Sequence, residues 1–505
     1  MLAYRGSDLY IEKMQESLPN TYPFPRVMGT EEETGLLVGL DGIYDEPVEL
    51  CINREMYLKP ELRAFGQSEF LTNGYRLYIG GSEPSDGSAY ETNLERATPE
   101  TISPWQLAQY SRGSELLIES IIERYAEIKA VDYNNTVDIR MHRRVIDAEG
   151  NRKACHDNFS LEKEFVDKDN IPQSLIYMLA ARSLLVGAGL VTEDGYQYAQ
   201  KIGGLTQVRG YGYFGTMFRT NIEHGDRLEI RCGDQNVSDW ATVMRTGSVA
   251  LMLALHQTPL GEEIEKNLRV KNIDNSIIYH ANEINEMLLP DIHELVLSKP
   301  QIQAIDFMEQ IATITMDMLQ LYTELPIEYY KIAREIHEFC EDYRKVGRGE
   351  LHYSALADRA DWAAKLSIIQ RNIDKDAQFG IARELGDYES RADDMHYDMV
   401  RYTRSPDDAK TRIERGPGFR MRERGMFRYS VDPHSAEHAL YNAPTETRAH
   451  ARAFLLKNYF SSYCSWNKVS VGEENYEMIE LLEVNNPNLG SYNEDILTGK
   501  EKREH

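Results

Sequence analysis

The chain has 505 residues, enough for one large sheet-based catalytic domain and a smaller appended module. Hydrophobic residues make up 42% and charged residues 27%, ordinary globular proportions that exclude a wholly disordered chain. A formal net charge of −26 excludes a nucleic-acid surface spread over the whole protein, because phosphate contacts need clustered Lys and Arg; acidic groups also suit hard cations, which take oxygen ligands.

The segment Met1 to Pro25 carries Asp8, Glu12 and Glu16 and lacks the apolar run of a secretion signal, so it reads as a polar N-terminal extension, 1–25. Arg26 to Leu40 reads as a strand with a polar-acidic interruption from Gly29 to Gly35. Tyr75 to Ile79 reads as a second strand after the Asn73-Gly74 turn. A Gly/Ser/Asp-rich loop runs from Gly80 to Ser88, and a helix starts near Pro104 with apolar residues at helical spacing. Tyr133 to Arg140, Ala154 to Leu161 and Arg227 to Arg231 read as strands; Ile171 to Ala188, Trp240 to Leu255 and Ile302 to Val346 read as helical. Arg412 to Arg424, dense in Arg and Gly, reads as a functional loop. The pattern changes near residue 435, which suggests a main domain over 26–435 and a small C-terminal domain over 436–505. The five cysteines are scattered, with no close pair of the kind that ligates zinc, and no stretch is long and apolar enough for a membrane span. A cytoplasmic protein with no nucleic-acid or membrane partner is the expectation.

Chemistry concentrates in the acidic segments. Strand alternation puts Glu31 and Glu33 on one face and Glu32 on the other, and two carboxylates projecting together repel unless a cation lies between them. An exposed acidic loop is the alternative. Glu95 and Glu100 could supply further oxygens. Alternation also places His156 with Asn158, and His224 precedes the strand that carries Arg227 and Arg231. The sequence lacks a Gly-x-x-x-x-Gly-Lys-Ser/Thr phosphate loop, a Gly-x-Ser-x-Gly turn and a His-Glu-x-x-His helix. Phosphoryl transfer here would rest on metal ions and cationic clamps.

An ordered series of segments resembles the Pup ligases and their Pup deamidase (depupylase) homologues, within the glutamine-synthetase-like carboxylate-amine ligases. The series is Arg26 to Gly35, Phe70 to Tyr78, Leu94 to Glu100, Asp147 to Phe159, Arg227 to Glu229 with Gly233 to Asn236, Asp361 to Lys365, and Pro444 to Ala449. The resemblance implies an α+β fold: a large curved antiparallel sheet backed by helices, with a small C-terminal domain. It implies ATP and Mg2+ as cofactors, with Glu31, Glu33, Tyr78, Glu95, His156 and His224 around the metal, and Arg227 and Glu31 contacting the nucleotide. The implied reaction phosphorylates the side-chain carboxylate of a Glu on a Pup-like modifier, or on a Glu-bearing small molecule, and then joins it to an amine acceptor. Gly80 stands where the family has its catalytic Asp, and Asp86 in the following loop is the candidate replacement. Deamidase or depupylase chemistry, and a catalytically silent ATP-binding regulator, are the alternatives.

Overall fold

A computed structural model gives the fold and describes residues 27–40, 58–64, 69–79, 92–146, 153–161, 171–192, 195–209, 215–221, 227–257, 260–267, 276–291, 293–321, 327–385, 397–472 and 477–481. The N-terminal extension, Gly80, Asp86 and His224 lie outside the described residues.

The strands in chain order are β1 (Met28–Leu40), β2 (Arg76–Ile79), β3 (Thr92–Ala97), β4 (Val137–His142), β5 (Cys155–Ser160), β6 (Leu190–Thr192), β7 (Gly195–Gln197) and β8 (Gln207–Arg209). They continue as β9 (Thr216–Asn221), β10 (Arg227–Gly233), β11 (Glu286–Asp291), β12 (Glu294–Val296), β13 (Met399–Arg404), β14 (Arg412–Arg415), β15 (Lys468–Val471) and β16 (Glu477–Glu480). Ten of them form the main sheet, in the order β14-β13-β4-β1-β5-β10-β9-β8, with β3 and then β2 attached beside β1. Its pairs are antiparallel except β8 with β9, which is parallel, so the expectation of an antiparallel sheet holds for all but this edge.

β1 is the spine. The acidic run does not interrupt it: the strand is continuous from Met28 to Leu40 because each glutamate meets a compensating group across the sheet or beneath it. On one edge Glu31 to Leu36 pair with β3. On the other edge β5 pairs with Met28 to Glu32 and β4 takes over from Gly35 to Leu40, so the sheet forks at Glu33 and Thr34. Between the two registers the Gln235 amide donates to the Glu33 carbonyl, supplying the partner that neither strand offers.

The two faces of the sheet differ. The Glu32 face is covered by helices. The helix Pro104–Tyr133 starts on a proline in its first turn and stops at Asn134, whose φ of 49° is left-handed. Its Leu117, Ile118 and Ile121 pack with Leu36, Val38, Ile139 and Tyr402 in one buried cluster. The helix Asp239–His256, capped by the Ser238 side chain, joins a larger cluster with Phe159, Leu228 and Ile230. Tyr133 therefore ends a helix instead of opening a strand. A third, smaller cluster joins Phe70 to Ala451, Leu455, Leu456, Val469 and Leu481.

The Arg/Gly-rich segment is not a loop. It forms β14 and the helix Pro417–Glu423, held because Arg415 pairs with Glu119 at 2.8 Å and Arg422 with Glu115 at 2.6 Å, both on the Pro104–Tyr133 helix. Among the described residues no helix is long and apolar enough to cross a membrane.

Candidate active site

The face of the main sheet opposite the helices collects the expected site residues. Glu31 stands opposite His156 on β5 and Ala97 on β3, Glu33 opposite Glu95, and Glu95 opposite Tyr78 on β2. Asn158 stands opposite Glu229, and Arg227 opposite Ser160. In an antiparallel pair opposed residues point to the same side. Two-residue alternation then carries Glu31, Glu33, Glu95, Tyr78, His156, Arg227 and Glu229 to one surface.

His156 lies among three carboxylates. Its Nδ1 is 3.5 Å from Glu31 and 3.9 Å from Glu229, and its Nε2 is 3.7 Å from Glu33. Burial opposes its charging, yet the bond to Glu31 and the charges of Glu33 and Glu229 raise its pKa above the ordinary histidine value. Burial likewise works against Glu31 as an anion, but His156 and then Arg227 outweigh it and lower the carboxyl to about 2. Glu95 is the opposite case. Burial and the neighbouring charge of Glu33 push it up to about 7, against the lowering effect of its hydrogen bond with Tyr78. Burial, with Glu31 and Glu95 nearby, raises the Tyr78 phenol beyond its usual range.

Alternation within β9 and β10 assembles a cationic group beside this acidic one. Glu229 is fully buried and draws Arg219 at 2.7 Å, Arg227 at 3.1 Å and Arg231 at 3.6 Å. Arg227 also lies 3.7 Å from Glu31, so it bridges the two groups. Lys153, just before β5, is a further buried cation, lowered to about 7 by burial with Glu33 opposing the shift.

Magnesium demands oxygen ligands and usually keeps waters and substrate oxygens, with one or two carboxylates from the protein. Among the described residues no three His, Cys, Asp or Glu side chains close around an ion by themselves. Glu31, Glu33 and Glu95, oxygen donors on adjoining strand positions, fit such a partly hydrated ion. Burial first and then the charge of Glu33 raise Glu95, and the second of these is the repulsion a bound cation would relieve.

Glu100 is paired away from this acidic group. It accepts from Arg452 at 2.6 Å and from Arg448 at 2.8 Å, so its oxygens are committed to the C-terminal segment. Sequence reasoning did not single out Arg219, Glu229, Lys153 or Gln235. Glu229 alternates with Arg227 and Arg231, and Lys153 and Gln235 lie inside segments that carry the resemblance, although none of the three had an individual role there. Arg219 enters only through strand pairing.

Comparisons with known proteins place the chain. The family model described as Pup-ligase protein matches residues 45–470. A Pup–protein ligase of Bifidobacterium longum is 27% identical over 456 residues, covering 85% of this chain and 84% of that protein. A Pup–protein ligase of Acidimicrobium ferrooxidans is 26% identical over 456 residues, covering 86% and 89%. Among solved structures, the complex between the prokaryotic ubiquitin-like protein Pup and its ligase PafA superposes with a TM-score of 0.68 at 18% identity, over 95% of this chain and 94% of that one. PafA in complex with ADP superposes with a TM-score of 0.59 at 18% identity, over 89% and 93%. These two likenesses bear on the fold.

Proposed function

The chain belongs to the Pup ligase family, and from that premise we propose that it uses ATP to join a Glu side chain of a Pup-like modifier to an amine. It is an ATP-dependent carboxylate-amine ligase. The observation that carries the reading is the acidic group of Glu31, Glu33 and Glu95 set directly beside the guanidinium group of Arg227, Arg219 and Arg231 on one face of the main sheet.

In the first step an oxygen of the modifier's Glu carboxylate attacks the γ-phosphorus of ATP, the bond to the β-phosphate oxygen breaks, and ADP leaves. In the second, the acceptor amine attacks the acyl carbon, phosphate leaves with the bonding pair of the C–O bond, and the nitrogen loses a proton. Arg227 is suited to hold phosphate oxygens, because guanidinium presents paired donors of fixed geometry. Glu31, Glu33 and Glu95 would hold magnesium, with Tyr78 and His156 orienting them and His224 as a further candidate ligand. The ion, when bound, offsets charge on the transferred phosphoryl group. Asp86 remains our candidate for taking the proton from the incoming ammonium.

The test mixes the purified protein with ATP, Mg2+, a Pup-like peptide ending in Glu and a protein amine acceptor, following ADP and product mass together. ADP formation with a conjugate of the summed masses less one water supports the reading. Loss of ammonia from a Gln-ending peptide without ADP would move the chain to deamidase chemistry. ATP binding with neither product would indicate a silent regulator. Glu33→Gln is expected to lower ligation at least about 100-fold with the fold intact, as loss of a charge-stabilising group in a shielded site does.

A further inference from the structure

Phe70, three residues before Asn73, has two guanidinium groups over its ring. Arg452, from the helix Arg448–Asn458, lies 4.7 Å from the ring centroid. Arg76, the first residue of β2, lies 5.7 Å from it. Trp466 meets the same ring edge-on at 4.9 Å, and Arg452 also sits 5.1 Å from the Trp466 ring. Arg452 is fully buried and pairs with Glu100, which follows β3. One guanidinium therefore ties the C-terminal segment to the chain following β3, through Glu100, and to β2, through Phe70 and Arg76.

Those are the two strands that present Tyr78 and Glu95 opposite each other. Arg76 and Tyr78, two residues apart, project on the same side of β2. The Arg76 guanidinium stacks on the Tyr78 ring at 4.3 Å. Its fork is fixed from behind by Glu69, at 2.9 Å from Nε and 2.6 Å from a terminal nitrogen. The Tyr78 hydroxyl in turn bonds Glu95. We infer that Arg76 is a positioning residue that sets the Tyr78 ring, and through it the Glu95 carboxylate, for magnesium and ATP, and that it transmits the seating of the C-terminal segment to this pair. The inference rests on the proposed magnesium-ATP role of the acidic face.

The test is titration calorimetry of ATP with increasing Mg2+ on the full chain, with no modifier or acceptor present. Arg76→Met raises the half-saturating Mg2+ concentration about tenfold, the range seen when groups that orient metal ligands are removed. Arg76 is 29% exposed, so its thermal midpoint stays within about 2 °C of the parent. Arg76→Lys, which keeps the charge but loses the fork and the planar stack, recovers part of the shift. Phe70→Leu keeps an apolar filler but removes the ring; it produces a smaller shift and adds less than its own effect on top of Arg76→Met. Unchanged magnesium dependence in Arg76→Met overturns the inference, and strict additivity with Phe70→Leu overturns the link to the C-terminal segment. A parent chain that binds magnesium-ATP and shows the Arg76 effect, yet forms no conjugate, overturns the ligase reading and upholds this one. A parent chain that binds no magnesium-ATP overturns both.

Discussion

At the residue scale, three consecutive glutamates meet two environments because the pleat sends them to opposite faces. Glu31 and Glu33 flank His156, whereas Glu32 is buried beneath the sheet with Arg96 and accepts from the Ser111 hydroxyl at 2.5 Å. Arg96→Met strands the Glu32 carboxylate in the core, and urea unfolding should show a loss of about 3–5 kcal/mol. Glu32→Leu combined with Arg96→Leu should cost less than that single change; an equal or larger loss would count against a paired, desolvated contact. A second buried group predicts a pH effect. His256 contacts the Ser174 hydroxyl at 2.5 Å, and burial lowers it from 6.5 to about 4 while Glu265 opposes the shift. The folded chain keeps this imidazole neutral where the unfolded chain protonates it, so stability is full above about pH 6.5 and declines as pH falls toward 4. The decline is on the order of 3 kcal/mol from this group. Unfolding curves of the parent and His256→Gln between pH 7.5 and 4.5 should converge toward the acid end, and parallel curves would refute the assignment.

At the element scale, periodicity located the long helices and most strands of the site, and it erred where neighbouring elements decide. The helix from Pro104 was legible because a proline start and repeating apolar positions are local signals. Only its last residue, Tyr133, was read as the start of a strand running to Arg140, and the left-handed Asn134 that stops the helix has no unique signature. The Arg412–Arg424 segment looked like a loop because its Arg and Gly content shows no clear period; beyond the local pairs of Arg412 with Glu414 and Arg415 with Glu423, it is Glu115 and Glu119, some 300 residues earlier in the sequence, that tie it to the long helix. The same long helix is approached closely at Gly113, where a Cβ would lie 2.5 Å from the Tyr75 hydroxyl and 3.1 Å from the Ala439 backbone. Gly113→Ala gains about 1 kcal/mol of helix propensity. Displacing Tyr75, which donates to the Tyr110 carbonyl at 2.8 Å, should outweigh that gain. A net loss of about 1–3 kcal/mol is expected by thermal unfolding, and a raised midpoint would refute the close packing.

At the scale of the whole molecule, the C-terminal segment is bolted to the sheet by Glu100. Burial disfavours its charge, but Arg452 and then Arg448 lower the carboxyl from 4.5 to about 2. Its contribution is therefore present above pH 4.5 and lost as pH falls toward 2. Glu100→Gln at neutral pH should remove stability on the order of 3 kcal/mol. It should also make the Arg448–Asn458 helix the first site of limited proteolysis; unaltered stability and cleavage would show that the segment is seated by its apolar contacts alone. The segment Pro444 to Ala449, notable in the sequence without an assigned role, finds one here: Thr447 donates to the Glu100 carbonyl at 2.9 Å and Arg448 to its carboxylate.

By itself the sequence determined which side chains share a face, since alternation has a period of two and needs only neighbours along the chain. It was enough to align Glu31 with Glu33 and His156 with Asn158, and to indicate the family. The resemblance grouped Glu95 with Glu31 and Glu33, but only the tertiary structure decided that Glu100 anchors the C-terminal segment, that Arg219 joins Arg227 and Arg231 around Glu229, and that Gln235 closes the fork at Glu33. Those outcomes depend on strand order and register, which bring together residues as far apart as Glu33 and Gln235, and such pairings are set by the packing of the whole sheet on its helices rather than by any local pattern.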